Sequence, residues 1–112
     1  MRTAVRLLVG IVFLMSAHVA MAQKGDANAG KETFTKTCAL CHGADGNVPK
    51  EAVAKMLKAE IPQLGSSAIQ SKSDDDLKKV ITEGFGKMKP LTLLSAKDVQ
   101  NVVAFVRTIK KP

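Results

Sequence analysis

Cys38-Ala39-Leu40-Cys41-His42 decides how this chain is read: two cysteines three apart, with a histidine directly after the second. On one helical turn, residues i and i+3 share a face, so both thiols reach the two vinyl groups along one edge of a haem. C-x-x-C-H is the spacing of covalent, c-type haem attachment. His42 then falls under the iron as its proximal ligand.

Three other readings of the pair are weaker. A structural zinc needs four ligands, and the chain offers only Cys38, Cys41, His42 and the distant His18. A thioredoxin-like dithiol wants a βαβ context, whereas the residues around Cys38 have helical spacing. A disulfide between i and i+3 within a helix is badly placed to close.

Working outward toward the N-terminus, residues 1–22 have the pattern of a secretory signal peptide. Arg2 and Arg6 give a positive start, residues 7–17 a predominantly apolar core, and Ala20-Met21-Ala22 a small-x-small cleavage site. Cleavage is expected after Ala22, which makes the protein periplasmic. The apolar run is somewhat short of the roughly 20 residues of a membrane span, so no anchor is expected after cleavage. The mature chain, residues 23–112, is expected to be a single domain. Losing Arg2 and Arg6 from 17 basic residues leaves 15 against 10 acidic ones, a net charge of +5. Export and the lack of any recognition motif argue against nucleic acid as the partner.

A chain of this size buries only about 60 to 65 per cent of the surface its unfolded form exposes, so side chains alone make a marginal core. Aromatic residues are scarce too: Phe34, Phe85 and Phe105 in the mature chain, with no Tyr or Trp. A large, flat, mostly apolar cofactor fills that gap. Folding is therefore expected to depend on the haem.

The apolar spacing is helical throughout, without strand alternation. A first helix is expected over residues 26–41, capped by Asp26, with Ala27, Gly30, Phe34 and Cys38 on one face. Gly30 within it costs about 1 kcal/mol relative to alanine, which close approach of another helix would offset. A turn over residues 43–49 leads to a short helix at 50–60, with Ala52, Val53, Met56 and Leu57 as its apolar side and Pro62 as its stop. Ser73 opens a further helix with Asp76 three residues on, and Gly84 ends it. Asp74, Asp75 and Asp76 suit the positive end of that helix dipole, and no other partner is expected for them. Residues 85–94 are expected to form a loop. Ser95 and Asp98 open the last helix, which carries Val99, Val102, Val103, Val106 and Ile109 on one face and ends on Lys110 and Lys111.

An iron held by His42 needs a sixth ligand from water, a lysine, Met56 or Met88. Met56 sits on the apolar side of its helix, where core filling accounts for it. Met88 stands between Lys87 and Lys89 in an irregular segment, with little packing reason to be there. It is the expected distal iron ligand.

With Gly30, Phe34, Cys38, Cys41, His42, Met88 and Phe105 in place, the mature chain resembles the class I, mitochondrial-like c-type cytochromes of the small bacterial monohaem kind. The resemblance implies an all-α cytochrome c fold, with four or so helices wrapped round one covalently attached haem c. It also implies that the first and last helices cross, with Gly30 and Phe34 meeting Phe105. Pro62-Gln63-Leu64 is similar to the family's Pro-x-Leu element, in which the proline carbonyl accepts the ring N–H of the proximal histidine and the leucine lines the haem pocket. Pro49 is a competing carbonyl, because the interval from His42 to Pro62 is long for the family. Lys89 stands where the proline after the methionine is usual, and no Trp or Tyr is present to bond the haem propionates.

The function expected from this likeness is that of a soluble periplasmic electron-transfer protein, not an enzyme, shuttling single electrons between redox partners. Lys87 and Lys89, joined by lysines such as Lys36 and Lys72, would meet acidic docking surfaces on those partners. The alternatives are an open-site haem protein, either a gas sensor or a peroxidase-like enzyme, and a haem subunit of a larger oxidoreductase. An enzyme would need a distal acid or base, and the mature chain has no histidine besides His42.

Overall fold

A computed structural model describes residues 24–112. The expected signal peptide, residues 1–22, and His18 within it lie outside the described residues. The chain forms α1 (Ala27–Thr37), α2 (Ala39–His42), α3 (Glu51–Leu57), α4 (Ser67–Gln70), α5 (Asp74–Glu83) and α6 (Ala96–Val106). Among the described residues there is no β-strand, only an isolated bridge between Phe85 and Met88.

The most extensive helix contact is between α1 and α6. It forms because α1 has no side chain at Gly30: a Cβ there would overlap the Asn101 carbonyl of α6. One turn on, the rings of Phe34 and Phe105 meet with centroids 5.0 Å apart and planes tilted by 56°. Such a pair contributes about 0.5–1.5 kcal/mol beyond its buried area. The Asn101 side chain, itself buried, accepts the Asp26 N–H at 2.8 Å and fastens the start of α1 to the middle of α6. Leu77 and Ile81 of α5 join Phe34, Cys38, Val99, Val102, Val103, Val106 and Ile109 in one hydrophobic core.

The helix ends follow their local chemistry. Asp26 caps α1 by accepting the N–H groups of Asn28 and Ala29. Ser95 and Asp98 form a full reciprocal capping box at α6. Ser73 accepts the Asp76 N–H at 3.1 Å. The acidic triplet does have a partner beyond the helix dipole, since Arg107 Nε donates to Asp74 at 2.8 Å. Arg107 also bonds the carbonyls of Gln70 and Lys72, tying α6 to the α4–α5 junction.

Several segments differ from expectation. The first helix breaks at Cys38 (φ −112°, ψ −34°), and α2 restarts after it, so the motif lies on a re-aimed turn. α3 stops at Lys58 in the left-handed region (φ 51°, ψ 44°), before Pro62 is reached. The Ala59 N–H bonds the Ala54 carbonyl at 3.1 Å, the closure of a Schellman motif. Met56 is 73% exposed and does not fill the core, because α3 buries none of its residues. α4 was not expected from Gly65-Ser66-Ser67, which has the composition of a turn. α6 ends at Val106, so Lys110 and Lys111 lie beyond it.

Candidate haem site

The re-aimed turn separates the two thiols by environment. Cys38 is buried in the core and Cys41 is half-buried, and both are free. Burial pushes the Cys38 thiol up, opposed by the Thr37 hydroxyl 3.3 Å from its sulfur. The Cys38 carbonyl accepts from the N–H of Cys41 at 3.2 Å and of His42 at 3.0 Å, so one residue anchors the whole turn.

His42 Nδ1 is buried without a hydrogen-bond partner. Burial lowers the pKa of the imidazole, and the Pro62 carbonyl acts against it from outside hydrogen-bond geometry. At neutral pH the ring is neutral, the form in which imidazole binds a metal. Leu64 and Met88 are both half-buried against the core that contains Cys38. Lys87 and Lys89, on either side of Met88, are exposed.

These residues fit a haem better than a bare ion. Among the described residues no three His, Cys, Asp or Glu side chains come together to cage a metal. The large exposed apolar side chains are Leu40, Val48, Met56, Phe85 and Leu93. All lie in the two segments that carry the expected attachment and ligand residues, from Cys38 to Pro62 and around Met88. Unpartnered apolar surface there, beside two free thiols and an orphaned imidazole nitrogen, suits a broad apolar cofactor with a metal at its centre.

Two contributors were not singled out from the sequence. Asn47 donates to the Lys110 carbonyl and accepts the Gly65 N–H, each at 2.8 Å, which holds the Leu64 segment against the C-terminus. The sequence signal is an asparagine directly after Asp45-Gly46, a pattern that by itself indicates only a turn. Gly86 is the other: it stands at φ 55° in a tight turn rather than a loose loop.

The chain is similar to known c-type cytochromes in sequence and in fold. Residues 25–106 match the family described as cytochrome C oxidase, cbb3-type, subunit III. The chain is 30% identical over 105 residues to cytochrome c6 of Rippkaea orientalis, covering 88% of this chain and 89% of that protein. Among solved structures, the KustC0563 c-type cytochrome superposes with a TM-score of 0.62 at 30% identity, covering 73% of this chain and 98% of that one. A single-residue mutant of it gives 0.60, with 73% of this chain and 99% of that one covered.

Proposed function

The chain belongs to the small class I c-type cytochromes, with a covalently bound haem c, and from that premise we propose that it is a monohaem electron carrier. Cys38 and Cys41 would hold the haem through thioethers, His42 would be the proximal iron ligand and Met88 the distal one, with Leu64 lining the pocket. The haem supplies reversible one-electron exchange at iron. The protein's part is to fix the ligands and keep water away. His42, its Nδ1 buried without a partner and placed directly after two free thiols, is the observation that carries this reading. The Pro62 carbonyl would accept the ring N–H, fix the tautomer and raise ligand basicity. Half-burial of Met88 leaves its thioether accessible to iron without full exposure to solvent.

In this reading the carrier is soluble and periplasmic, released by cleavage after Ala22. Among the described residues no helix is long and apolar enough to cross a membrane. Exposed Lys87 and Lys89 would steer it to acidic redox partners. The match to an oxidase subunit family favours one second reading, the same haem module held by a larger oxidoreductase. Co-purification with a larger complex at fixed stoichiometry would select it over the free carrier.

The test is an absorption spectrum of the exported, haem-loaded protein, oxidised and then reduced under carbon monoxide, beside Met88→Ala. A closed-site carrier shows the weak far-red iron–thioether band, loses it in Met88→Ala and ignores carbon monoxide. Absence of the band with ready carbon monoxide binding would instead mean an open-site sensor or enzyme. A band surviving Met88→Ala would move the ligand to Met56.

A further inference from the structure

Met88 is carried by a closed hairpin. α5 ends at Gly84, and Phe85 and Met88 then exchange two backbone hydrogen bonds, Phe85 N–H to Met88 at 3.0 Å and Met88 N–H to Phe85 at 2.9 Å. Just beyond, the Leu91 N–H bonds the Ile81 carbonyl at 2.9 Å and returns the chain to the last turn of α5. Between the two bonded residues lie only Gly86, at φ 55°, and Lys87, which is not at positive φ. That is the pattern of a type II′ turn, whose first central position is a glycine position. A Cβ on Gly86 would meet nothing within 4 Å. Glycine is needed there for its backbone angle alone.

We propose that Gly86 is a positioning residue for the iron ligand: by closing the 85–88 hairpin it fixes the Met88 backbone, so the thioether is held by main-chain geometry. Side-chain packing alone would not do this, since Met88 is only half-buried and both its neighbours are exposed lysines. The proposal rests on the reading of Met88 as the distal ligand. It predicts that ligand retention depends on the φ angle available at residue 86, not on the size of the side chain there.

The experiment compares haem-loaded Gly86→Val and Gly86→Ala with wild type and Met88→Ala. The readouts are the far-red iron–thioether band, carbon monoxide affinity of the reduced protein, and reduction potential, with helical circular dichroism as a folding control. Strain at one residue is expected to raise the open fraction, and with it carbon monoxide affinity, roughly tenfold in Gly86→Val. Gly86→Ala should fall between Gly86→Val and wild type. The potential should fall with the loss of the thioether. Because the Cβ enters open space, the helices are expected to be intact in both. If Met88→Ala abolishes the band while Gly86→Val behaves as wild type, the positioning role fails and the ligand stands. Wild-type behaviour of Gly86→Ala beside loss of the band in Gly86→Val would assign the effect to side-chain size and would also overturn it. If Met88→Ala leaves the band in place, the ligand reading itself has failed.

Discussion

Helices α1, α5 and α6 hold one another through side chains, whereas residues 43–65 are held almost wholly by hydrogen bonds. In the three-helix frame Phe34, Leu77, Ile81 and four valines of α6 are buried. In residues 43–65 the buried residues are Gly43, Gly46 and Gly65, none of which has a side chain to pack. Their place is taken by a mesh of backbone and amide bonds: Lys50 N–H to the Cys41 carbonyl, Leu64 N–H to the Gly46 carbonyl, Gln63 to the Asn47 carbonyl. The frame has a core of its own, and the middle of the chain borrows one. On the proposed reading haem c supplies it, and the middle of the chain leaves apolar side chains such as Val48 and Met56 exposed.

The strongest challenge to that contrast is removal of the haem. Cys38→Ala with Cys41→Ala would block attachment, and the expected result is a weaker melting transition by circular dichroism, confined to the α1, α5 and α6 frame, with hydrogen exchange fastest over residues 43–65. A sharp melting transition in the haem-free variant, with residues 43–65 still protected, would mean that the middle of the chain is self-supporting.

Single substitutions sharpen it next. Phe34→Ala removes the centre of the α1–α6 contact and should cost about 3–5 kcal/mol in denaturant titration while leaving the haem spectrum of the folded protein unchanged. Asn47→Ala leaves the Gly65 N–H and the Lys110 carbonyl unpartnered, a cost of about 1–2 kcal/mol. Unlike Phe34→Ala, it should alter the haem spectrum, since Asn47 ties down the segment of Leu64 and Pro62. A reversal of these two spectral outcomes would assign the haem's support to the frame instead.

The same contrast explains what could be read from the sequence. Where the protein packs on itself, periodicity told most of it: Gly30, Phe34 and Phe105 mark the α1–α6 crossing, and the Ser95/Asp98 box starts α6 as expected. Where a cofactor or a single hydrogen bond decides, apolar spacing misleads. Met56 has the right periodicity for a core position and is exposed, because the protein offers α3 nothing to pack against. The break at Cys38, the left-handed Lys58 and the hairpin at Gly86 depend on backbone angles that residue type only suggests. Asp74 looked sufficiently explained by its own helix, and its pairing with Arg107 spans 33 residues that no local pattern connects.

The smallest expected effect is a pH dependence confined to the middle of the chain. Asp45 accepts the N–H groups of Asn47 at 2.9 Å and Val48 at 3.0 Å, and these hold its carboxyl below the usual carboxylate value. A carboxyl with a lowered folded pKa contributes fully above its unfolded value, about 3.9, and loses that contribution as pH falls through the folded one. Wild type should therefore be slightly more stable than Asp45→Ala at neutral pH, with the gap narrowing below about pH 4. The comparison between the two proteins removes the titration of all other carboxylates, which they share. Because the turn belongs to the haem-dependent half, the narrowing should appear in the haem absorption before it appears in the helical signal of α1 and α6. A gap that stays constant into strong acid would show that the turn is held by its backbone alone, and the hydrogen-bonded middle would then need no charge to keep its shape.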